Sequence, residues 1–330
     1  MKKIFTIIAI AALLITAGVS CDKTIHVANV VFPRTVFTVD IGRTFTIPVL
    51  VFPPDAADKS LTWKSNNPNV ATVDQDGKVT AIAAGWASIT ATSVDGNRQA
   101  ICHITVIDLP EIEMVFVEGG TFMMGCTGEN CNPIDEFPIH QVTLSNYHIS
   151  KYLVTQKLWE AVMEYNFSYF KGANLPVEQV SWDDAQNFIN QLNMLTGKNY
   201  SLPTEAQWEF AARGGNESEG YEYSGSNNVD EVAWHYENSG YTTHPVGMKK
   251  PNELGIYDMS GNVFEWCNDR YGLYTDEAQT NPQGSDEGYS RICRGGGWYD
   301  KAEYGRVSKR GASGPQMRYS SLGFRLVLSE

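Results

Sequence analysis

Residues 24–107 alternate between apolar and polar positions in a series of short runs. Val36–Asp40, Leu61–Ser65 and Ala87–Thr92 show this alternation, and turns rich in Gly, Pro and Asn separate the runs. A period of two residues is the pattern of a strand with one buried face. The pattern therefore predicts a small all-β sandwich over residues 24–108, followed by a short linker that Pro110 stiffens.

The rest of the chain changes to a mixture of strands and three helices. The first predicted helix begins at a Thr155 cap. The second begins at Ser181, carries an apolar stripe at helical spacing and ends at Gly197. The third begins after Thr204, with a glutamine three residues later in the position of a capping box. These signals predict a mixed α+β domain over residues 113–330.

The first 20 residues have the form of a bacterial secretion signal. Lys2 and Lys3 precede an apolar run, and small residues lead to Cys21. The run is short for a spanning helix, which needs roughly 20 apolar residues, and no charged stop follows it. We expect residues 1–20 to be a lipoprotein signal peptide and Cys21 to carry the lipid anchor, with a plainly secreted protein as the alternative. The expected location is the bacterial cell envelope, at the outer membrane, with periplasmic or surface orientation left open.

The charge balance narrows the range of partners. The chain has 25 Lys and Arg against 38 Asp and Glu, which gives a net charge of -13. Such a surface repels phosphate backbones and anionic lipid headgroups. We therefore expect no nucleic-acid partner, and contact with a membrane through the lipid anchor only.

The five remaining cysteines can oxidise outside the cytoplasm. Cys126 and Cys131 lie in a loop-rich stretch whose spacing favours a small disulfide loop. Zinc is the rival interpretation, but a zinc site needs about four ligands and this loop offers two thiols. Cys267 and Cys293 are a second candidate pair, although sequence does not set connectivity. Cys102 lies in an alternating run and is expected to be a buried free thiol.

Residues 61–92 carry a recognisable string, LTWKSNNPNVATVDQDGKVTAIAAGWASITAT. It resembles the bacterial Ig-like group 2 domain over its whole length. The matching positions are Trp63, Ser65, Ala71, Val73, Gly77 and Gly85. The resemblance implies a spacer or adhesion module without catalytic chemistry.

Four further strings stand out after residue 113. They are Met114–Gly125, Leu202–Glu209, Asn252–Trp266 and the C-terminal Leu322–Arg325. Together they resemble the formylglycine-generating enzyme family, also called sulfatase-modifying factors. The resemblance covers about residues 114–327 and implies an α+β, C-type-lectin-like fold.

Enzymes of that family oxidise a sulfatase cysteine with copper and two cysteines of their own C-terminal segment. No cysteine follows Cys293 in this chain, and the corresponding stretch contains Asp300, Lys301 and Glu303. Carboxylate and amine groups do not replace soft sulfur ligands for copper. The resemblance therefore implies the family's fold without its chemistry, and we expect neither copper nor formylglycine-generating activity.

The loop Asp258–Glu265 sets acidic and amide side chains between glycines and apolar residues, which suits a tight turn that directs oxygen atoms onto a hard cation. The resemblance implies a calcium ion held by the side chains of Asp258 and Glu265 and the backbone carbonyls of Gly261 and Val263. A second calcium site of the family would use Asn238, but a tryptophan stands where an oxygen ligand is needed. The alternative is that Asp258 and Glu265 only cap local turns.

The C-terminal segment interleaves scaffold strings with Tyr, Ser, Gly and Asp, a mixture that offers large amphipathic contacts and adaptable hydrogen bonds. It resembles the ligand-binding face of C-type-lectin-like proteins on the same fold. The candidate contact residues are Trp298, Tyr299, Asp300, Glu303, Tyr304, Arg318 and Tyr319. The alternative is that half of these side chains pack the last strands, with Arg306 and Arg310 as buried ion-pair partners.

The hypothesis that follows is an envelope-anchored lipoprotein. Its Ig-like domain would carry a non-catalytic second domain that binds a protein, peptide or glycan, or takes part in assembly at the cell surface. The alternative is an oxidoreductase of the sulfatase-modifying or nonheme iron type with unrecognised chemistry. Fold alone does not decide between the two.

Overall fold

The N-terminal region folds into paired sheets, as its alternating pattern predicts. The computed structural model describes residues 24–126, 131–163 and 165–329. A four-stranded sheet has the order β2-β9-β8-β5 and a three-stranded sheet the order β3-β7-β6, while β1 pairs with β4. The strands are β1 (Asn29–Val31), β2 (Val36–Asp40), β3 (Thr44–Thr46), β4 (Leu50–Phe52), β5 (Leu61–Ser65), β6 (Ala71–Val73), β7 (Lys78–Ala81), β8 (Gly85–Ser93) and β9 (Gln99–Ile107).

The core of this sandwich comes from the inward positions of its strands. Along β8, Ala87, Ile89 and Ala91 are fully buried and the residues between them are not. The Trp63 ring stacks on Phe32 with centroids 5.7 Å apart. The period of two is therefore the pattern of one buried face, and the predicted all-β sandwich is confirmed.

The second region builds three sheets from strands that are distant in sequence. Their orders are β10-β13-β20-β14, β11-β12-β16 and β18-β17-β15-β19. The strands are β10 (Met114–Val117), β11 (Gly120–Met124), β12 (His140–Leu144), β13 (Tyr147–Ser150), β14 (Tyr200–Ser201), β15 (Phe264–Arg270), β16 (Gln279–Thr280), β17 (Arg291–Arg294), β18 (Arg310–Ser313), β19 (Leu322–Gly323) and β20 (Val327–Ser329).

The three predicted helices are present and their caps are as expected. The helices are α1 (Gln156–Met163), α2 (Trp182–Thr196), α3 (Glu205–Ala212) and a short α4 (Val229–Val232) that the sequence did not predict, with 3-10 turns at Gly215–Glu217 and Ala302–Gly305. Ser181 and Thr204 each form a capping box, and Gly197 ends α2 in the left-handed conformation. Among the described residues no helix is long and apolar enough to cross a bilayer.

Buried arginine–carboxylate pairs cross-link the elements of the second region. Arg306 donates to both oxygens of Glu136 at 2.8 Å. Arg310 forms a two-bond pair with Glu205, each bond 2.7 Å long. The expectation that Arg306 and Arg310 are buried ion-pair partners is confirmed, which places them in the scaffold.

The cysteines divide into one disulfide and buried thiols. Cys126 and Cys131 are bonded, with Cα atoms 5.6 Å apart, so the predicted small loop is confirmed. The predicted pairing of Cys267 with Cys293 is wrong, because both are free and buried. Cys102 is a buried free thiol, as expected. Cys21 and the predicted signal peptide lie outside the described residues.

The geometry of the sheet explains why the second pair does not form. Trp266 of β15 lies opposite Cys293 of β17, so Cys267 is offset from Cys293 by one residue. Neighbouring residues of a strand point to opposite faces. Cys267 accordingly packs in the core beside Ile292, whereas Cys293 packs in the core beside Trp266.

The fit of Trp63 against Gly77 gives a test of the N-terminal core. A Cβ atom at Gly77 would lie 2.7 Å from the Trp63 ring, whereas one at Gly42 would meet nothing within 4 Å. Both glycines have a positive φ, at 78° and 81°, so both variants carry a similar backbone cost. We expect Gly77→Ala to lower stability by about 1–3 kcal/mol more than Gly42→Ala in calorimetric unfolding. Equal losses would show that the Trp63 contact is unimportant.

Candidate functional site

The loop that was expected to hold calcium is a buried junction between distant segments. Asn262 donates from its backbone to the Trp234 carbonyl and accepts from the Trp298 N–H, each at 2.8 Å. Its side chain exchanges two 3.0 Å hydrogen bonds with the backbone of His244. Asp258 and Asn262 both have positive φ, at 58° and 65°. The loop therefore ties three separate stretches of chain to one point.

Glu265 has a partner that the sequence did not indicate. Both of its oxygens accept from Arg325, at 2.6 and 2.9 Å, and both side chains are fully buried. Arg325 also donates to the carbonyls of Ser150 and Tyr257. Glu265 as a calcium ligand stays a prediction, and any such ion would share this carboxylate with the guanidinium that already binds it through two bonds.

Asp258 is left with less compensation than Glu265. It is buried, and its carboxylate accepts from the Gly247 N–H at 2.8 Å. Burial raises the pKa of Asp258, and the hydrogen bond from Gly247, followed by the charge of Arg325 and smaller contributions from Asn262 and His244, only partly opposes that shift. Burial likewise raises the pKa of Glu265, with a smaller contribution from repulsion by Asp258. Two buried carboxylates thus share one guanidinium, an arrangement that a cation would stabilise.

The Asn238 side chain makes local hydrogen bonds. Its oxygen accepts from the His235 N–H at 2.9 Å, and its amide donates to Asp230 and to the Ala233 carbonyl. These bonds close a local turn and hold the loop that carries Tyr236. The second calcium site at Asn238 stays a prediction.

A continuous series of aromatic rings lies around Trp298. The series runs Tyr169, Phe170, Trp298, Tyr299, Tyr236 and Tyr241, with successive ring centroids between 4.9 and 5.8 Å apart. We call these six residues the Trp298 face. Its outer rings are open to solvent: Tyr169 is 71% exposed, Tyr299 60% and Tyr241 56%. Exposed apolar patches of this kind mark interaction sites on soluble proteins.

Backbone hydrogen bonds hold the Trp298 face in place. The Trp298 indole donates to the Ser320 carbonyl at 2.8 Å, and the Ser239 hydroxyl donates to the Trp298 carbonyl at 2.7 Å. The Tyr236 N–H donates to the Asp300 carbonyl at 2.8 Å. The Asp300 side chain accepts from Gly297, and burial raises its pKa. Three segments of the chain are thereby fixed to one another before any ligand arrives.

A buried glutamate supports the loop that supplies Tyr169 and Phe170. Glu178 accepts from the Phe170 N–H at 2.8 Å, and its other oxygen is buried without a hydrogen-bond partner in the described structure. Burial raises the pKa of Glu178 to about 7. The adjacent Gln179 has a φ of 59° and donates its N–H to the Tyr319 carbonyl. The 170 loop and the 319 segment are therefore linked through this pair.

The remaining predicted contact residues are distributed around this face. Glu303 and Tyr304 lie in the 3-10 turn that follows Asp300, and the Tyr304 ring meets Phe264 edge-on. Arg318 makes a two-bond pair with Asp184 at 2.7 and 2.9 Å, so its guanidinium serves the N-terminus of α2. Tyr319 is 44% exposed.

Sequence reasoning did not find four of the six residues of the Trp298 face. Tyr169, Phe170, Tyr236 and Tyr241 lie far from Trp298 in the sequence, and the last of these has a positive φ of 62°. Their signal was an unusual density of tyrosines in loops without helical or strand periodicity. Such density becomes informative only when the fold shows which loops meet.

Family comparisons agree with this architecture. Residues 107–330 match the family described as the sulfatase-modifying factor enzyme 1-like domain, and residues 26–104 match the bacterial Ig-like domain (group 2). The chain belongs to the sulfatase-modifying factor family. The expected Ig-like unit followed by a formylglycine-generating-enzyme-like domain is thereby confirmed.

The chain is similar to family members that carry different names. "Chaperone protein LppX" of Paenibacillus barcinonensis is 35% identical over 76% of this chain and 97% of its own length. The formylglycine-generating enzyme of Thermomonospora curvata is 28% identical over 64% of this chain and 92% of its length. The match to the serine/threonine-protein kinase Pkn1 of Chlamydia caviae is 32% identical over 64% of this chain but spans only 37% of that protein.

A solved structure has the same fold over the same part of the chain. Treponema denticola variable protein 1 superposes with a TM-score of 0.61 and 32% identity, covering 67% of this chain and 96% of that one. The likeness extends through the sulfatase-modifying-factor domain.

The thiols of this family member are not activated. Burial raises the pKa of Cys293 to about 12 and raises that of Cys267 well above its ordinary value. The thiolate is the form that attacks substrates and binds metals. At neutral pH both residues are therefore neutral thiols packed in the core.

The contribution of the Arg325–Glu265 pair to the stability of the domain can be tested by substitution. Arg325→Gln leaves a buried carboxylate unpaired, so we expect a loss of about 3–5 kcal/mol in the free energy of unfolding, measured with urea. Arg318→Gln is the matched control, because Arg318 makes the same two-bond geometry with a side chain 48% exposed. It should cost less than about 1 kcal/mol. Similar losses in both variants would contradict a structural role specific to Arg325.

Proposed function

We propose that this chain is an envelope-anchored binding protein whose sulfatase-modifying-factor domain presents the Trp298 face to a ligand without catalysing a reaction. The observation that carries the proposal is the series of six rings, fixed by backbone hydrogen bonds and open at its outer members. Rigid tyrosine and tryptophan side chains give large contact areas at low cost in conformational entropy.

The chemistry of the C-terminal segment supports binding over oxidation. No cysteine follows Cys293, and Asp300 contributes a partly buried carboxyl in that stretch. Copper chemistry requires soft ligands, and a carboxyl group with a raised pKa is a poor substitute. An oxidoreductase activity would need reactive groups other than thiols.

A polypeptide is the ligand class that we favour among protein, peptide and glycan. The relative named as a chaperone matches nearly its whole length to this chain, and a chaperone acts by binding other proteins. Exposed aromatic rings also suit contact with apolar and aromatic side chains of a peptide. The lipid anchor expected at Cys21 would keep this surface at the cell envelope, by our proposal at the outer membrane.

A calcium ion in the Asp258 loop would fit the same proposal as a structural element. Asp258 would supply a carboxylate, Gly261 and Val263 their carbonyl oxygens, and Glu265 would be shared with Arg325. The support is the donor chemistry together with the excess of buried negative charge around one guanidinium. Because Asn262 of this loop accepts from the Trp298 N–H, the ion would stiffen the binding face.

Alanine substitutions on the Trp298 face should weaken the binding of a ligand. We expect peptide and glycan arrays probed with residues 22–330 to identify a polypeptide ligand, and Tyr299→Ala or Tyr241→Ala to weaken it by about 2 kcal/mol, roughly 30-fold. Tyr289→Ala is the control, since Tyr289 is 69% exposed and lies outside the ring series. Unchanged affinity in both face variants would overturn the assignment, as would conversion of a cysteine peptide to formylglycine by the purified protein.

Calcium removal should destabilise the second domain. A ligand bound only by the native state stabilises it by about 2.7 kcal/mol at a hundred times its Kd, which corresponds to a Tm shift of about 5–10 °C for a domain of this size. We expect calcium to raise Tm, a chelator to reverse the effect, and Asp258→Asn to reduce it. Asp276→Asn, which changes an exposed acid, should respond like the unmodified protein. A Tm insensitive to calcium would remove the ion from the proposal.

A further inference from the structure

A second concave site lies apart from the Trp298 face. It is a cavity of about 290 Å³ between the first turn of α3 and the loop that follows β15. Glu205 and Ala206 line it from α3, while His140 lines it from β12. Pro282 and Gly284 line it from the loop. Its volume is near the small end of the range for ligand pockets in proteins.

The loop over this cavity is attached to the sheet at both ends. On one side, β16 pairs in parallel with β12, where Gln279 lies opposite Val142. On the other side, the pairing of β15 with β17 shifts register between Trp266 and Arg270. Such irregularities redirect side chains and are frequent beside functional sites. Asp269 lies within this irregular stretch and lines the cavity.

The cationic groups of the cavity are already occupied. Arg310 gives two bonds to Glu205 and donates further to the carbonyls of Asp135 and Gly272, both at 3.0 Å. Arg270 donates to the Asp286 carbonyl at 2.7 Å. An incoming anion would therefore have to displace bonds that the protein makes to itself.

Asp269 is the exception, because its charge is not paired. It is buried, and its Oδ2 accepts from the Glu205 N–H at 2.9 Å. In the described structure no Arg, Lys or His lies within ion-pair distance of its carboxylate. Burial and then repulsion by Glu205 raise the pKa of Asp269 to about 7. A cation placed in the cavity would add compensation to a carboxylate that Arg310 and backbone hydrogen bonds compensate only in part.

The wall beside Asp269 suits the apolar part of a small ligand. The rings of His140 and Tyr274 lie 4.6 Å apart, and Met124 and Ala206 add apolar surface. The His140 ring also lies 3.1 Å from the Pro138 carbonyl, which fixes its orientation. The cavity thus combines the Asp269 carboxylate, which has no ion-pair partner among the described residues, with aromatic and aliphatic surface.

We propose that this cavity binds a small organic cation, with its ammonium group on the Asp269 carboxylate and its apolar part against His140 and Tyr274. The site is separate from the Trp298 face, and the proposal does not depend on the function of that face. Binding should strengthen as pH rises through neutrality, because the cation pairs with ionised Asp269. The titratable or charged groups around this carboxylate are Glu205, Arg310, Arg291, Arg270, His140, Tyr274 and Cys267.

The test uses three probes of similar size and different charge, namely propylammonium, 1-propanol and propionate. Saturation-transfer NMR on the full protein should detect propylammonium at up to about 10 mM, with a stronger signal at about pH 8 than at about pH 5.5. The signal should fall at least about tenfold in Asp269→Asn and persist in Asp276→Asn, a change of an exposed acid in the same loop. The Asp269→Asn comparison also separates Asp269 from His140 as the source of the pH dependence.

A measurement on the unmodified protein covers the case in which Asp269→Asn does not fold. The carboxyl carbon of Asp269, followed by NMR, should titrate at lower pH in the presence of propylammonium and at unchanged pH with 1-propanol. The proposal is overturned if propionate binds best, if Asp269→Asn binds propylammonium as the unmodified protein does, or if propylammonium leaves the Asp269 titration in place.

Discussion

Buried arginine–carboxylate pairing is the interaction on which the second domain depends. Many of its strands have only two to four residues, so each strand pairing contributes few backbone hydrogen bonds. Arg294 contacts both Glu205 and Glu209 of α3, and Arg325, just before the C-terminal strand, pairs with Glu265 of β15. Replacing one member of such a pair leaves an uncompensated charge in the core. The pairs therefore fix the positions of segments that local structure alone would leave undetermined.

Because buried ion pairs fix the segments of the domain, its long loops can present side chains to solvent. Individual hydrogen bonds position the loops that carry the Trp298 face. Asn262, Glu178 and Ser239 each form such a bond with the backbone of a neighbouring segment. Because the anchors are backbone bonds, the outward side chains can vary without loss of the frame. A binding face of this type has a rigid main chain, while the side chains that it presents to a ligand can differ.

Local features could be predicted from the sequence, whereas several contacts between distant segments could not. The sandwich, the capping boxes at Ser181 and Thr204 and the Cys126–Cys131 loop follow from short-range spacing, and the structure contains them. The pairing of Cys267 with Cys293 failed because an offset of one residue between two strands reverses the face, and composition carries no register.

The site shows the same limit. Trp298, Tyr299 and Asp300 could be singled out by their place in the C-terminal segment, whereas Tyr236 and Tyr241 join them only through the fold. Glu265 was suggested as a calcium ligand on the strength of its loop, but its two oxygens face an arginine sixty residues away.

The two carboxylates without full compensation, Asp258 and Asp269, extend the same logic. In both cases the protein buries an acid beside another carboxylate, and the pKa-raising effect of burial exceeds the opposing effect of nearby cations and hydrogen bonds. A domain stabilised by ion pairs loses stability at each such place unless something external completes the pairing. The fold keeps this loss of stability at two positions. Asp258 lies in the loop that contacts Trp298, and Asp269 lies in the cavity. A cation from outside is the partner that we propose for both positions, a metal ion at Asp258 and an organic ammonium at Asp269.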